Sequence, residues 1–159
     1  MRILFITFSD INVCSSSNIR NVSLIQGLLE LGHSIDIISY KSSNTAVVVD
    51  KSFEPIISRC NVIEVKANLS TEKVSSNLLS SGESSIKRKL YNKLRKIYYS
   101  MEYIDSFRKI ASSIDIDKMT LDNYDLMISS SNPYSVHILA DRIRNKFFNG
   151  KLKWVEYWG

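Results

Sequence analysis

Apolar and polar positions fall along this chain in two alternating rhythms. Arg2 to Phe8 is an almost unbroken apolar, β-branched run, which predicts a strand buried on both faces. Between Asn18 and Leu31 the apolar positions Ile19, Val22, Ile25, Leu28, Leu29 and Leu31 recur at helical spacing, and Gly32 supplies a stop. Ser34 to Tyr40, carrying Ile35, Ile37 and Ile38, predicts a second strand. Ala46 to Val49 is short and fits no period clearly. Asn61 to Lys66 sets Val62, Glu64 and Lys66 against Ile63 and Val65, a third strand placed nearer the sheet edge.

The middle of the chain changes character. Seven of the seventeen residues from Leu69 to Ser85 are serine, with one glycine and no aromatic, which reads as a surface segment. Two helical stretches follow, about Ser85 to Ser100 and Met101 to Ile114. Tyr124 to Ser129 is a candidate buried strand. Asn132-Pro133 then sets an N-cap residue before a proline at the first helical position, and the helix it opens runs to about Phe148 and stops at Asn149-Gly150. Leu152 to Tyr157 is a last strand. Strands alternating with helices through short connections predict one α/β domain, residues 1–159, Rossmann-like and three-layered, with a mostly parallel sheet. An open strand carrying two tryptophans beside Gly159 adds the expectation that the natural polypeptide continues.

Composition narrows the class. At 159 residues the chain suits a single domain, one that buries roughly 70% of its unfolded surface. Its apolar runs fall far short of the ~20 residues of a membrane-spanning helix, and Ile3-Leu4-Phe5-Ile6 is too short for a signal-peptide core. Two cysteines (Cys14, Cys60) and two histidines (His33, His137) make neither a disulfide framework nor a zinc site, so the expectation is a cytoplasmic protein without a metal. The net charge of +5 and pI near 9.2 suggest an anionic partner, without choosing among nucleic acid, lipid headgroup and nucleotide phosphate.

Four stretches are candidates for chemistry. The first strand-to-helix turn, where dinucleotide folds place G-x-G-x-x-G, holds Ser9 to Ser17, and the first glycine of the chain is Gly27. A nicotinamide or flavin site is therefore not expected, although Ser15 and Ser16 offer hydroxyls to a sugar or phosphate as readily as they cap a helix. In Leu31-Gly32-His33 the glycine suits a left-handed helix end and the histidine a structural role. Ser129 to His137 lies at the carboxyl end of a strand, the edge at which open α/β sheets bind ligands. Ser131, Asn132 and His137 are cleft candidates there, and His137 packed against a neighbouring loop is the equal alternative. Finally, Lys87, Arg88, Lys89, Lys93, Arg95 and Lys96 fall within ten residues, while Ile86, Leu90, Leu94, Ile97 and Met101 share an arc of roughly 80° on a helix. That amphipathic pattern fits an anionic membrane surface, with Lys89, Lys93, Arg95 and Lys96 facing it, and equally a core-packed helix with a solvated basic face. No nucleic-acid-binding signature accompanies the charges, and no G-x-S-x-G elbow supports a serine nucleophile.

Three matches together give a resemblance. Met1-Arg2-Ile3-Leu4-Phe5-Ile6 leads to a helix holding Arg20 and then to Leu28-Leu29-Glu30-Leu31-Gly32-His33; Tyr124 to His137 forms a strand with a Ser-x-Pro helix start; and Lys153-Trp154-Val155-Glu156-Tyr157-Trp158-Gly159 closes the chain. In this order they resemble the amino-terminal domain of GT-B-fold glycosyltransferases, of the retaining family-four type that builds bacterial surface polysaccharides. Residues 41 to 123 match only in layout. Where the family often carries a Gly-Gly pair in the first turn, this chain has Cys14 and serines.

The resemblance implies an acceptor-side domain that receives a saccharide or lipid-linked acceptor. The nucleotide-sugar donor would be held by a carboxyl-terminal domain, and transfer would need no cofactor or metal. Ser131, Asn132 and His137 would line the cleft opposite Ser15, Ser16 and Arg20, in capsule or lipopolysaccharide synthesis at the inner face of the cell membrane. On this expectation the chain alone is inactive. The rival expectation is a non-catalytic Rossmann-like module that docks on a membrane or an acidic partner through its basic helix. Neither reading includes nucleic acid.

Overall fold

The computed structural model describes residues 1–41, 49–66, 107–131 and 133–158. The expectations for residues 46–48, for Leu69 to Ser85, for the helices from Ser85 through residue 106, and for Asn132 lie outside the described residues, and with them Lys89, Lys93, Arg95 and Lys96.

Along the chain come β1 (Arg2–Thr7), α1 (Ser16–Glu30), β2 (Ser34–Tyr40), a 3-10 turn (Lys51–Phe53) running into α2 (Glu54–Ile57), β3 (Asn61–Val65), α3 (Arg108–Ser113), β4 (Leu126–Ser130), α4 (Val136–Phe148) and β5 (Lys153–Tyr157). The five strands are all parallel, in the order β3-β2-β1-β4-β5. This is the expected Rossmann-like α/β domain, with β3 at one edge.

The alternation of a strand explains the layers. On β1, Ile3 and Phe5 turn to one face, where Val22, Ile25 and Leu29 of α1 meet Phe53 and Ile57. Leu4 and Ile6 turn to the other, against Ala111 of α3 and Val136, Leu139, Ala140 and Ile143 of α4. All four strand residues are fully buried. Arg142 of α4 donates to the carbonyls of Ala111 (2.6 Å) and Ile114 (3.2 Å), a cation satisfying the open carbonyl end of α3.

Helix ends follow their local chemistry, with one exception. Ser15 caps α1, its hydroxyl accepting from the Asn18 N–H at 3.2 Å. At the other end Gly32 adopts φ +79°, which lets the His33 N–H reach the Leu28 carbonyl at 3.1 Å. Asn149 and Gly150 both take positive φ beyond α4. The exception is the start of α4. It begins at Val136 rather than at Pro133, because the N–H groups of Val136 and His137 bond only three residues back, to Pro133 and Tyr134 (3.2 and 3.0 Å). This tight turn comes before the first i−4 bond, from Leu139 to Ser135. The run from Lys51 to Ile57, which the periodicity does not pick out, is also helical: Asp50 caps it, accepting from the Ser52 N–H at 2.9 Å.

Candidate functional site

In the order β3-β2-β1-β4-β5 the connections diverge between β1 and β4. The chain leaves β1 for α1 on one face and leaves β4 for α4 on the other. The carboxyl ends of these two strands frame the crevice in which such sheets bind ligands.

The β1 side of that crevice is a closed polar network. Thr7 and Ser9 share a hydroxyl–hydroxyl bond of 2.9 Å, and Ser9 donates to Asn18 Oδ1. Asn18 Nδ2 donates to the main-chain carbonyls of Asp10 and Val13, both at 2.8 Å, from inside the turn. One helical turn on, Asn21 accepts from the Ser130 hydroxyl at 2.6 Å, which ties the end of β4 to α1. Asn18 and Asn21 are buried. Ser39 of β2 completes the floor, donating to the Ser9 carbonyl at 3.0 Å and accepting from the Ile11 N–H. The inward-pointing groups of this turn are thus carbonyls already bonded to a carboxamide, the reverse of the free N–H groups that hold a pyrophosphate.

The β4 side is aromatic. Ser129 is fully buried and accepts from the Trp154 indole N–H at 2.8 Å; its Oγ lies 2.7 Å from His137 Nδ1. The Ser129 hydroxyl has a second lone pair and a proton for the Nδ1 contact, so this bond is compatible with either imidazole tautomer. Nε2 is buried without a partner among the described residues. The His137 ring lies 4.9 Å from that of Trp158 and 6.3 Å from that of Trp154. Tyr134, on the turn before α4, stands 5.1 Å from Trp158. The Ser131 N–H donates to the Tyr157 carbonyl at 2.8 Å. Although Ser129 and His137 are within hydrogen-bond reach, the burial of the serine and its second bond to Trp154 make this a packing contact rather than a nucleophile with its base.

The sequence candidates therefore separate. Ser131 and His137 both sit at the crevice edge, but His137 is only 9% exposed and packs between Ser129 and the two tryptophans. Ser15 is spent as a helix cap, its hydroxyl also 3.1 Å from that of Ser17. Ser16 and Arg20 lie on the exposed side of α1, away from the buried stripe of Asn18, Asn21, Val22, Ile25 and Leu29. Sequence reasoning missed Asn18, Asn21, Ser129, Trp154 and Trp158. A signal existed for the first two, polar residues lying on the same helical stripe as Val22 and Ile25. Among the described residues no three His, Cys, Asp or Glu side chains are grouped to hold a metal ion.

Burial lowers the pKa of His137 and the nearby Glu156 carboxylate partly offsets this, leaving it below the ordinary imidazole value. Between the depressed folded value and about 6.5 the unfolded chain therefore binds the extra proton, so stability falls as pH drops through that window. In urea unfolding at pH 7.5 and 5.5, wild type should lose more stability than a His137→Gln variant over the same interval. Equal losses would mean the imidazole titrates as freely in the fold as outside it.

No protein-family model matches this chain and no curated protein matches it, so the reading of the site rests on its own geometry and chemistry.

Proposed function

We propose that this chain is the acceptor-side domain of a GT-B-type glycosyltransferase that builds a bacterial surface glycan. It takes a saccharide or lipid-linked saccharide at the carboxyl edge of its sheet, while a second domain holds the nucleotide-sugar donor. One observation carries the proposal. The crevice edge between β1 and β4 carries exposed aromatic rings over a buried, mutually bonded network of hydroxyls and carboxamides, and its first turn, Ser9 to Ser17, has no glycine to let a pyrophosphate approach the backbone. Such a lining suits a polyol and does not suit a dinucleotide. In this reading the domain orients an acceptor hydroxyl, and the groups that stabilise the departing nucleotide lie on the other domain.

The test is ligand-observed NMR with two panels, neutral saccharides and nucleotide sugars. Saccharides should bind, nucleotide sugars should bind no better than their sugar portions, and neither should be turned over. Hydrolysis of a nucleotide sugar above a blank, or contact made mainly through the nucleotide, would overturn the assignment.

A lipid-linked acceptor also places the domain against a membrane. Among the described residues no helix is long and apolar enough to cross one. The cations Lys89, Lys93, Arg95 and Lys96 are the sequence's candidates for meeting its surface. Each cation near an anionic surface contributes about 1 kcal/mol before screening. Cosedimentation with vesicles containing phosphatidylserine should exceed that with neutral vesicles and fall with salt, and replacing Lys89, Lys93 and Lys96 by glutamate should abolish it. Equal binding to both kinds of vesicle would remove the electrostatic contact.

A further inference from the structure

We infer that Trp158, Tyr134 and Glu156 form a subsite for one uncharged pyranose ring of the acceptor. The inference rests on the saccharide reading above and adds where the ring sits and what charge it carries. The geometry comes from strand alternation. Trp154 and Glu156 alternate onto the face of β5 against which His137 packs, and Trp158, just past the strand's end, stays on that side with its ring 4.9 Å from that of His137. The sequence runs inward to outward along that face. Trp154 is half-buried and bonded to Ser129, Glu156 is exposed, and Trp158 is 59% exposed. Tyr134, from the other side of the same edge, is 56% exposed and holds its ring 5.1 Å from that of Trp158 at an interplanar angle of 40°. Among the described residues, these two large rings, each more than half exposed, touch each other and form an aromatic platform.

The chemistry of the platform selects its ligand. The electron-rich face of an aromatic ring attracts the polarised C–H bonds on the apolar face of a sugar, and the contact removes apolar surface of both from water. Glu156, between the two tryptophans, is an acceptor for the hydroxyls that radiate from such a ring and repels a phosphate or carboxylate there. No cation stands among the alternate positions 154, 156 and 158 to offset it. The N–H groups of Val136 and His137, which at a helix start would draw an anion, are already bonded to the Pro133 and Tyr134 carbonyls. The His137 ring lies 4.9 Å from that of Trp158, and its Nε2 is buried without a partner among the described residues.

The experiment titrates the protein with methyl glucoside, galactoside and mannoside and with a neutral disaccharide, alongside hexose 6-phosphates and UMP, by saturation-transfer NMR. Trp158→Ala, Tyr134→Ala and Trp158→Phe are measured in parallel, and thermal unfolding checks that each variant is folded. The expected result is binding of at least one neutral saccharide, weakened about tenfold or more in both alanine variants and largely retained in Trp158→Phe. Saccharide binding of unchanged affinity in both alanine variants would overturn the subsite and leave the saccharide reading standing. Absence of any saccharide binding to the wild-type protein would overturn that reading and the subsite with it. Tighter binding of the phosphates or UMP, lost in Trp158→Ala, would keep the platform but overturn the uncharged ligand.

Discussion

Replacing Asn18 by alanine is expected to cost the fold about 2–4 kcal/mol and to lower its melting temperature by roughly 5–15 °C. The side chain is fully buried and uses every bonding position that matters to the turn around it: two donors to the carbonyls of Asp10 and Val13 and one acceptor to Ser9. Without it the Val13 carbonyl loses its partner, the Asp10 carbonyl keeps only the Val13 N–H at 3.0 Å, and the Ser9 hydroxyl loses its acceptor. Each unmet buried group costs about 1–3 kcal/mol, but the sum falls short of additive because Ser9 can turn its proton to Thr7, already 2.9 Å away. Asn18→Asp makes a sharper test. It keeps the size and the acceptor but sets a carboxylate against two carbonyl oxygens, so it should destabilise at neutral pH and recover in part on acidification. Ser16→Ala and Arg20→Ala, on the exposed side of the same helix, should stay within about 0.5 kcal/mol of wild type in urea unfolding. A mild effect of Asn18→Ala would mean that the turn holds its shape through its backbone, and that the carboxamide merely fills space.

That contrast shows what a sequence can reveal and where it stops. The strands were legible because each is a short apolar run bounded by polar or turn residues, and β1, β2, β4 and β5 lie within one or two residues of their expected ends. The apolar stripe of α1 was equally plain. What the hydrophobic pattern hid was the value of polar residues within it. Asn18 and Asn21 are indistinguishable by type from Asn12, and only the converging ends of β1 and β4 give them carbonyls and hydroxyls to bond. The same holds for Ser129. The expected strand ends at Ser129, yet Ser130 belongs to it too, and the two serines bond to opposite sides, one to His137 of α4 and the other to Asn21 of α1. Asn132-Pro133 suggested a helix start because proline at the first position is a local rule. The chain instead makes a tight turn first, which carries Tyr134 outward beside Trp158. α2 went unseen because four residues are too few to show a period.

The candidate site was legible by location and not by composition. The order of elements placed it at the carboxyl ends of β1 and β4. The residues first chosen from the α1 loop, Ser15, Ser16 and Arg20, turn out to cap the helix or face away from the sheet. Trp154 of β5 and Trp158 just beyond it, which the sequence offers as a sign of an unfinished sheet and as part of the resemblance but not as site residues, supply the aromatic wall instead. A polar loop signals exposure, but which of its side chains face inward depends on the helix phase and strand register that only the assembled sheet fixes.

At the amino-terminal end of the sheet, Tyr124→Phe is expected to cost about 1.5–3 kcal/mol, because the hydroxyl it removes donates to a buried carboxylate. Asp36 sits on the α4 face of β2 beside Leu4 and is 8% exposed; the Tyr124 hydroxyl bonds its Oδ2, and Arg2 Nη2 reaches the same oxygen at 2.7 Å. The Arg2 guanidinium carbon also lies 4.5 Å from the centre of the Tyr124 ring, so β1, β2 and the segment leading into β4 are joined at one point. The two donors are not equivalent. Arg2 is 41% exposed at its side chain and acts through water-screened charge, so Arg2→Met should cost less than Tyr124→Phe and its effect should shrink in high salt. The phenol has its own pH signature. Burial first, and then donation to Asp36, push its pKa well above the ordinary tyrosine value. A group whose folded pKa is raised contributes stability that is fully present below the unfolded value, about 10, and is lost as pH rises through the folded one. The stability difference between wild type and Tyr124→Phe should therefore hold steady up to about pH 10 and narrow above it, as unfolding comes to release a proton that the fold retains. Urea titrations at pH 7, 9 and 11 would show this. A difference that stayed constant through pH 11 would mean Tyr124 ionises as easily in the fold as in the unfolded chain, and the bond to Asp36 would then carry none of the stability assigned to it.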